Sequence, residues 1–132
     1  MIEIYTAPSC TSCKKAKSWL AKHNIAFEER NIIADPLTPE EVKQVLMRCD
    51  DGIEGLISSR NRFVKTLGYD FEDLPLSRAL KIISDNPQIL RRPIIMDDKR
   101  LHVGYNEEEI RTFLPRTVRV LENAGVRMQN VI

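Results

Sequence analysis

Tyr5-Thr6-Ala7-Pro8-Ser9-Cys10-Thr11-Ser12-Cys13 is the stretch from which the rest of the chain can be read. On its N-terminal side Ile2-Glu3-Ile4-Tyr5 is rich in β-forming residues, and Thr6-Ala7-Pro8-Ser9 breaks it with turn chemistry. On its C-terminal side Ala16, Trp19 and Leu20 recur at helical spacing. Lys14, Lys15, Lys17 and Lys22 fill positions between and around them, and Asn24 supplies a stop. The stretch is therefore a strand-to-helix turn with two cysteines, three residues apart, at the helix N-terminus. Extended character resumes from Ala26 to Ile33, and a right-handed crossover makes the two strands parallel.

Asp35-Pro36-Leu37 ends this βαβ unit, and Thr38-Pro39-Glu40-Glu41 supplies an N-cap, a proline in the first turn and a capping-box glutamate. Val42, Val45, Leu46 and Cys49 form the apolar face of the helix that follows, with Asp50-Asp51-Gly52 read as its end. Ser59 to Leu67, closing on Gly68, and Leu76, Ala79, Leu80 and Ile83 mark two more helices. Arg91 to Met96 is extended again, Asp97-Asp98-Lys99 turns the chain, and Arg100 to Tyr105 completes a hairpin. Asn106-Glu107-Glu108-Glu109 then caps a helix bearing Ile110, Phe113 and Leu114, with Pro115 as a break and a tail of weak signals beyond Glu122. The order is that of an α/β, thioredoxin-like fold with a mixed sheet. Its redox core is expected at 1–34 and 88–132, and an α-helical insertion at 35–87.

The chain has 132 residues, of which 42% are hydrophobic, enough for the core of one domain. Twenty Lys and Arg against nineteen Asp and Glu leave a net charge of +1, so no whole-molecule field holds nucleic acid, and any such contact is local. No run is long and apolar enough for a bilayer and no export signal opens the sequence, so a cytoplasmic protein without a membrane partner is expected. Three cysteines, an odd count, do not make a disulfide scaffold.

A C-x-x-C on the first strand-to-helix turn is where a thioredoxin-like fold keeps its redox pair. Cys10 meets the unpaired N–H groups and positive end of the helix dipole, with Lys14 and Lys15 nearby, which favours an anionic sulfur. Cys10 is read as the nucleophile and Cys13 as the thiol that resolves its sulfenic acid into a disulfide. A metal site is not expected, because His23, His102 and Cys49 lack zinc-ligand spacing, and neither is a cofactor. Cys49 reads as a packing residue. Pro93, before a strand, is expected to follow a cis bond and to place Arg92 beside Cys10, where its guanidinium stabilises a thiolate or binds an oxyanion. Arg91 reads as a solvated charge.

The segments Tyr5 to Cys13, Glu29-Arg30-Asn31-Ile32, Leu90-Arg91-Arg92-Pro93-Ile94-Ile95, Lys99-Arg100-Leu101 and Val103 to Arg116 resemble the Spx family of low-GC Gram-positive bacteria, a branch of the arsenate reductase family. The resemblance covers nearly the whole chain and implies a thioredoxin core with a helical insertion. It further implies a regulator that binds the C-terminal domain of the RNA polymerase α subunit, activates thiol-stress genes and blocks activator-dependent transcription. Gly52 matches the family glycine needed for that contact, although the same residue also suits a helix C-terminus. Arg60, Arg62 and Lys65, about a turn apart on one helix, match basic positions implicated in promoter DNA contact; taken alone they read as a solvated face. The polymerase contact suggests a monomer in free solution, and members of the family that the ClpXP protease removes with an adaptor commonly end in a small-residue tail. This chain departs from them in its Met128-Gln129-Asn130-Val131-Ile132 end and in Ala7, where a serine is common.

Two other functions compete. An arsenate reductase would use Cys10 as nucleophile with Arg60, Arg92 and Arg100 cradling the oxyanion, but the second thiol at Cys13 suits an internal disulfide better. A general disulfide reductase commonly carries a Trp-Cys-Gly-Pro-Cys segment, and here Thr11 and Ser12 lie between the cysteines. The sequence is thus read as a regulatory protein on a reductase-like fold, not an enzyme.

Overall fold

The computed structural model describes residues 2–58, 62–66 and 71–114. Arg60, the start of its helix at Ser59, the closure at Leu67-Gly68 and everything from Pro115 onward lie outside the described residues.

Four strands form one mixed sheet in the order β2-β1-β3-β4: β1 Ile2–Thr6, β2 Phe27–Asn31, β3 Ile94–Met96 and β4 Leu101–Val103. β1 runs parallel to β2, with Ile2 opposite Phe27 and Thr6 opposite Asn31, and antiparallel to β3, with Tyr5 opposite Ile94 and Glu3 opposite Met96. The β3–β4 hairpin pairs Ile94 with Val103 and Met96 with Leu101. Asp97 closes its turn, its carboxylate accepting the N–H groups of Lys99 and Arg100.

Side chains alternate across the sheet, and this divides the core in two. Ile2, Ile4 and Ile95 face α1 (Thr11–Lys22) and pack with Ala16, Trp19, Leu20, Ile110, Phe113 and Leu114. Tyr5, Ile94 and Met96 face the other way, against Val42 and Val45 of α2 (Pro39–Met47) and Ala79, Leu80 and Ile83 of α5 (Leu76–Asp85). β3 is apolar at every position because both of its faces are buried. Between α2 and α5 come the short helices α3 (Gly52–Leu56) and α4 (Arg62–Thr66). A hydrogen bond from Ser84 Oγ to the Leu37 carbonyl, 2.6 Å, ties the end of α5 to the start of α2.

Local chemistry accounts for the helix ends. Asn24, with φ +57°, terminates α1 as the left-handed residue its sequence position suggests. Thr38 and Glu41 form the capping box of α2, Thr38 accepting from the Glu41 N–H and Glu41 from the Thr38 N–H. Two readings are corrected. α2 ends at Met47 rather than at Asp50-Asp51-Gly52, because the N–H groups of Arg48 and Cys49 turn back to the carbonyls of Val45 and Leu46 in a tighter turn. Cys49 therefore lies beyond the helix, although it still packs against the core. The last described element, Glu109–Phe113, is a 3₁₀-helix rather than an α-helix, with Asn106 Oδ1 accepting from the N–H groups of Glu108 and Glu109.

Candidate functional site

The C-terminal end of β1 delivers the chain through Pro8 and Ser9, whose φ of +59° makes the turn, to Cys10 at the N-cap of α1. There the Cys10 sulfur takes the place usually held by a hydroxyl or carboxylate. It accepts the Cys13 N–H at 3.2 Å, while the Cys10 carbonyl accepts the Lys14 N–H. Cys13 is one turn further on, on the same buried face as Ala16 and Leu20, and is 2% exposed. Burial pushes its thiol up to about 11, and the hydrogen bond with Cys10 adds to this. Both thiols are free.

Cys10 is partly exposed, at a cleft of about 550 Å³ lined also by Ser58, Leu90, Arg91, Arg92, Val103 and Gly104. The cis Arg92-Pro93 peptide expected from the sequence is present, and the Pro93 carbonyl accepts the Gly104 N–H at 2.7 Å. Arg92 thus shares the cleft with Cys10, and its charge opposes the burial of the neighbouring Cys13 thiol. Arg91 differs from its sequence reading. It is exposed, yet its Nε donates to the Ile57 carbonyl at 3.1 Å, so it is anchored at the same cleft rather than freely solvated.

Arg100 does not join this cradle. The strand register places Tyr5, Ile94 and Val103 at the Cys10 end of the sheet and Glu3, Met96 and Leu101 at the far end. Arg100 precedes Leu101, and its guanidinium donates to the Thr112 carbonyl. Of the three arginines that an arsenate-binding site would need, Arg60 lies outside the described residues and Arg100 is at the wrong end of a hairpin.

Gly52 is not a helix terminator but the first residue of α3, with φ +66° and open space where a β-carbon would project. Its backbone conformation favours glycine, and its carbonyl accepts the Cys49 thiol at 3.5 Å. Arg62 and Lys65 are exposed on α4, three residues apart. His102 carried no functional reading beyond its lack of zinc-ligand spacing, yet its Nδ1 lies 3.2 Å from Glu109 Oε2 while its Nε2 is buried without a hydrogen-bond partner. Among the described residues no three potential ligands are grouped to hold a metal ion, and no helix is long and apolar enough to cross a membrane.

A model of the ArsC family matches residues 5–113. The global transcriptional regulator Spx 2 of Lactococcus lactis subsp. lactis is 76% identical over 132 residues, all of both chains. This chain belongs to the ArsC family, on its Spx branch. The Spx regulator of Enterococcus faecalis is 52% identical, over 92% of each chain. In fold, the arsenate reductase of Vibrio cholerae superposes with a TM-score of 0.76 at 18% identity, covering 86% of this chain and 97% of its own. Family membership makes the Spx-branch chain a transcriptional regulator rather than an enzyme, on a thioredoxin-like α/β fold shared with a reductase.

Proposed function

We propose that this regulator senses oxidants through Cys10 and Cys13 and acts by binding the C-terminal domain of the RNA polymerase α subunit. The observation that carries the sensor is the asymmetry of the pair: Cys10 caps a helix at a cleft it shares with two arginines, and Cys13 is buried one turn behind it. With a hydroperoxide as oxidant, the Cys10 sulfur attacks the peroxide oxygen, the O–O bond breaks, and Cys10 sulfenic acid forms as an alcohol or water leaves. The Cys13 sulfur then attacks the Cys10 sulfur, the S–S bond forms, and the sulfenic oxygen leaves as water with the Cys13 proton. Two thiols lose two electrons to one peroxide.

Gly52 is the proposed polymerase contact, and its place at the partly exposed start of α3 suits close backbone approach. Arg62 and Lys65, with Arg60, are the proposed contacts to promoter phosphates within that complex. In this reading the core at 1–34 and 88–132 senses, the insertion at 35–87 docks, and the chain works as a cytoplasmic monomer removed by ClpXP. The disulfide acts by shifting the start of α1 and redirecting Arg92.

The test is a pull-down with the isolated C-terminal domain of the polymerase α subunit, using reduced and oxidised chain and the Gly52→Arg variant. Binding that the variant abolishes is expected, with affinity differing between redox states. No binding in either state sinks the polymerase reading and sends the chain to an arsenate reduction assay.

A further inference from the structure

The sensor cleft and the C-terminal end of α3 are joined by one short seam. The Arg91 N–H donates to the Leu56 carbonyl at 2.7 Å, the Ser58 N–H donates to the Ile89 carbonyl at 2.8 Å, and Ile57 bridges antiparallel to Leu90. Leu56, Ile57 and Leu90 are all buried, so this seam is part of the core rather than a surface strap. Arg91 adds a third bond through Nε, to the Ile57 carbonyl. Arg91 borders two clefts: the one with Cys10 and Arg92, and a second, of about 270 Å³, lined by Cys49, Asp50, Asp51, His102 and Glu109.

We propose that Arg91 is a positioning residue that couples the oxidation state of the Cys10–Cys13 pair to α3 and the turn before it. The inference rests on the redox reading of that pair and extends it to a residue the pair does not touch through the chain. In the reduced state Cys10 shares its cleft with Arg91 and Arg92. When the Cys10 sulfur bonds to Cys13 it gives up its post as acceptor of the Cys13 N–H, and the wall of the cleft beside Arg91 changes shape. On the other side Arg91 meets the cleft of Asp50, Asp51 and Glu109, whose carboxylates attract its charge. With Nε tied to Ile57, the terminal amino groups are the part free to redistribute, and they do so toward the turn that leads into Gly52.

Hydrogen–deuterium exchange on the full chain tests this without any polymerase. Reduced protein is compared with protein oxidised by hydrogen peroxide, with free-thiol titration to establish the disulfide. In the wild type, oxidation is expected to change exchange across 49–58 by on the order of fivefold or more. Arg91→Ala is expected to keep disulfide formation and the change at the start of α1 but to lose the difference across 49–58. Arg91→Lys, which keeps a charged donor, restores part of it. A purely structural role would raise exchange equally in both redox states and leave the difference intact, and that result overturns the proposal. So does a wild-type 49–58 segment indifferent to oxidation. If no disulfide forms at all, the sensor reading fails, and the coupling falls with it.

Discussion

Cys10 and Cys13 carry the same side chain in different surroundings. Cys13 is 2% exposed and its thiol is pushed up to about 11 by burial, whereas Cys10 opens onto a cleft. At pH 8 the Cys13 thiol is then held in its protonated form. In a chain carrying Cys10→Ser and Cys49→Ser, alkylation of Cys13 by iodoacetamide is expected to be slow at pH 8 and to accelerate about tenfold per pH unit toward pH 10. A rate already flat across that range would show that Cys13 ionises like an ordinary thiol. In the proposed redox switch the same asymmetry suits Cys10 to meet the oxidant first and Cys13 to act as the resolving thiol.

α2 shows how one side chain joins an element to its neighbour. Glu41 closes the capping box with Thr38 and also grips Arg30 of β2 through both carboxylate oxygens. The Arg30 hydrogen bond, followed by the Thr38 N–H, holds the Glu41 carboxyl below its usual range. Losing the cap hydroxyl in Thr38→Ala is expected to cost about 1 kcal/mol in urea unfolding. Glu41→Ala should cost more, because it removes the cap and the bidentate ion pair together, and Glu41→Gln should fall between the two. The sign with pH follows from the lowered carboxyl: the contribution is complete above the ordinary glutamate range and is lost as pH falls through the folded-state value. Equal losses for all three variants would mean that Arg30 finds another partner at no cost.

Over the whole molecule, the sheet separates two cores, and His102 sits on the edge strand β4, paired with Ile95 of β3. Burial lowers its affinity for a proton, and the Glu109 carboxylate only partly offsets this. Because the folded value lies below the unfolded value of about 6.5, the unfolded chain binds more protons as pH falls through that point, and stability drops with it. Unfolding midpoints are therefore expected to decline below about pH 6.5, and His102→Gln to flatten that part of the decline relative to wild type. An unchanged slope in the variant would place the acid sensitivity in other groups.

Much of this architecture is written in local patterns. The strand-turn-helix around Cys10 and Cys13, the capping box at Thr38 and Glu41, the hairpin at Asp97 and the left-handed stop at Asn24 all follow from residues within a few positions of one another. The family, too, was legible in the segments around Cys10 and Arg92. What stayed hidden needs contacts between distant parts of the chain. Arg91 gains its anchor from a carbonyl 34 residues away. Arg100 loses its place in an anion cradle because the hairpin register carries it to the far end of the sheet. Gly52 reads as the end of one helix until the turn at Arg48 and Cys49 makes it the beginning of another. The sequence by itself determined most of the elements, their order and the place of the two cysteines at the start of α1, since propensity, capping and spacing are local; only the tertiary structure decided which side chains meet in the Cys10 cleft, because that depends on strand register and on how the seam between α3 and Arg91 closes.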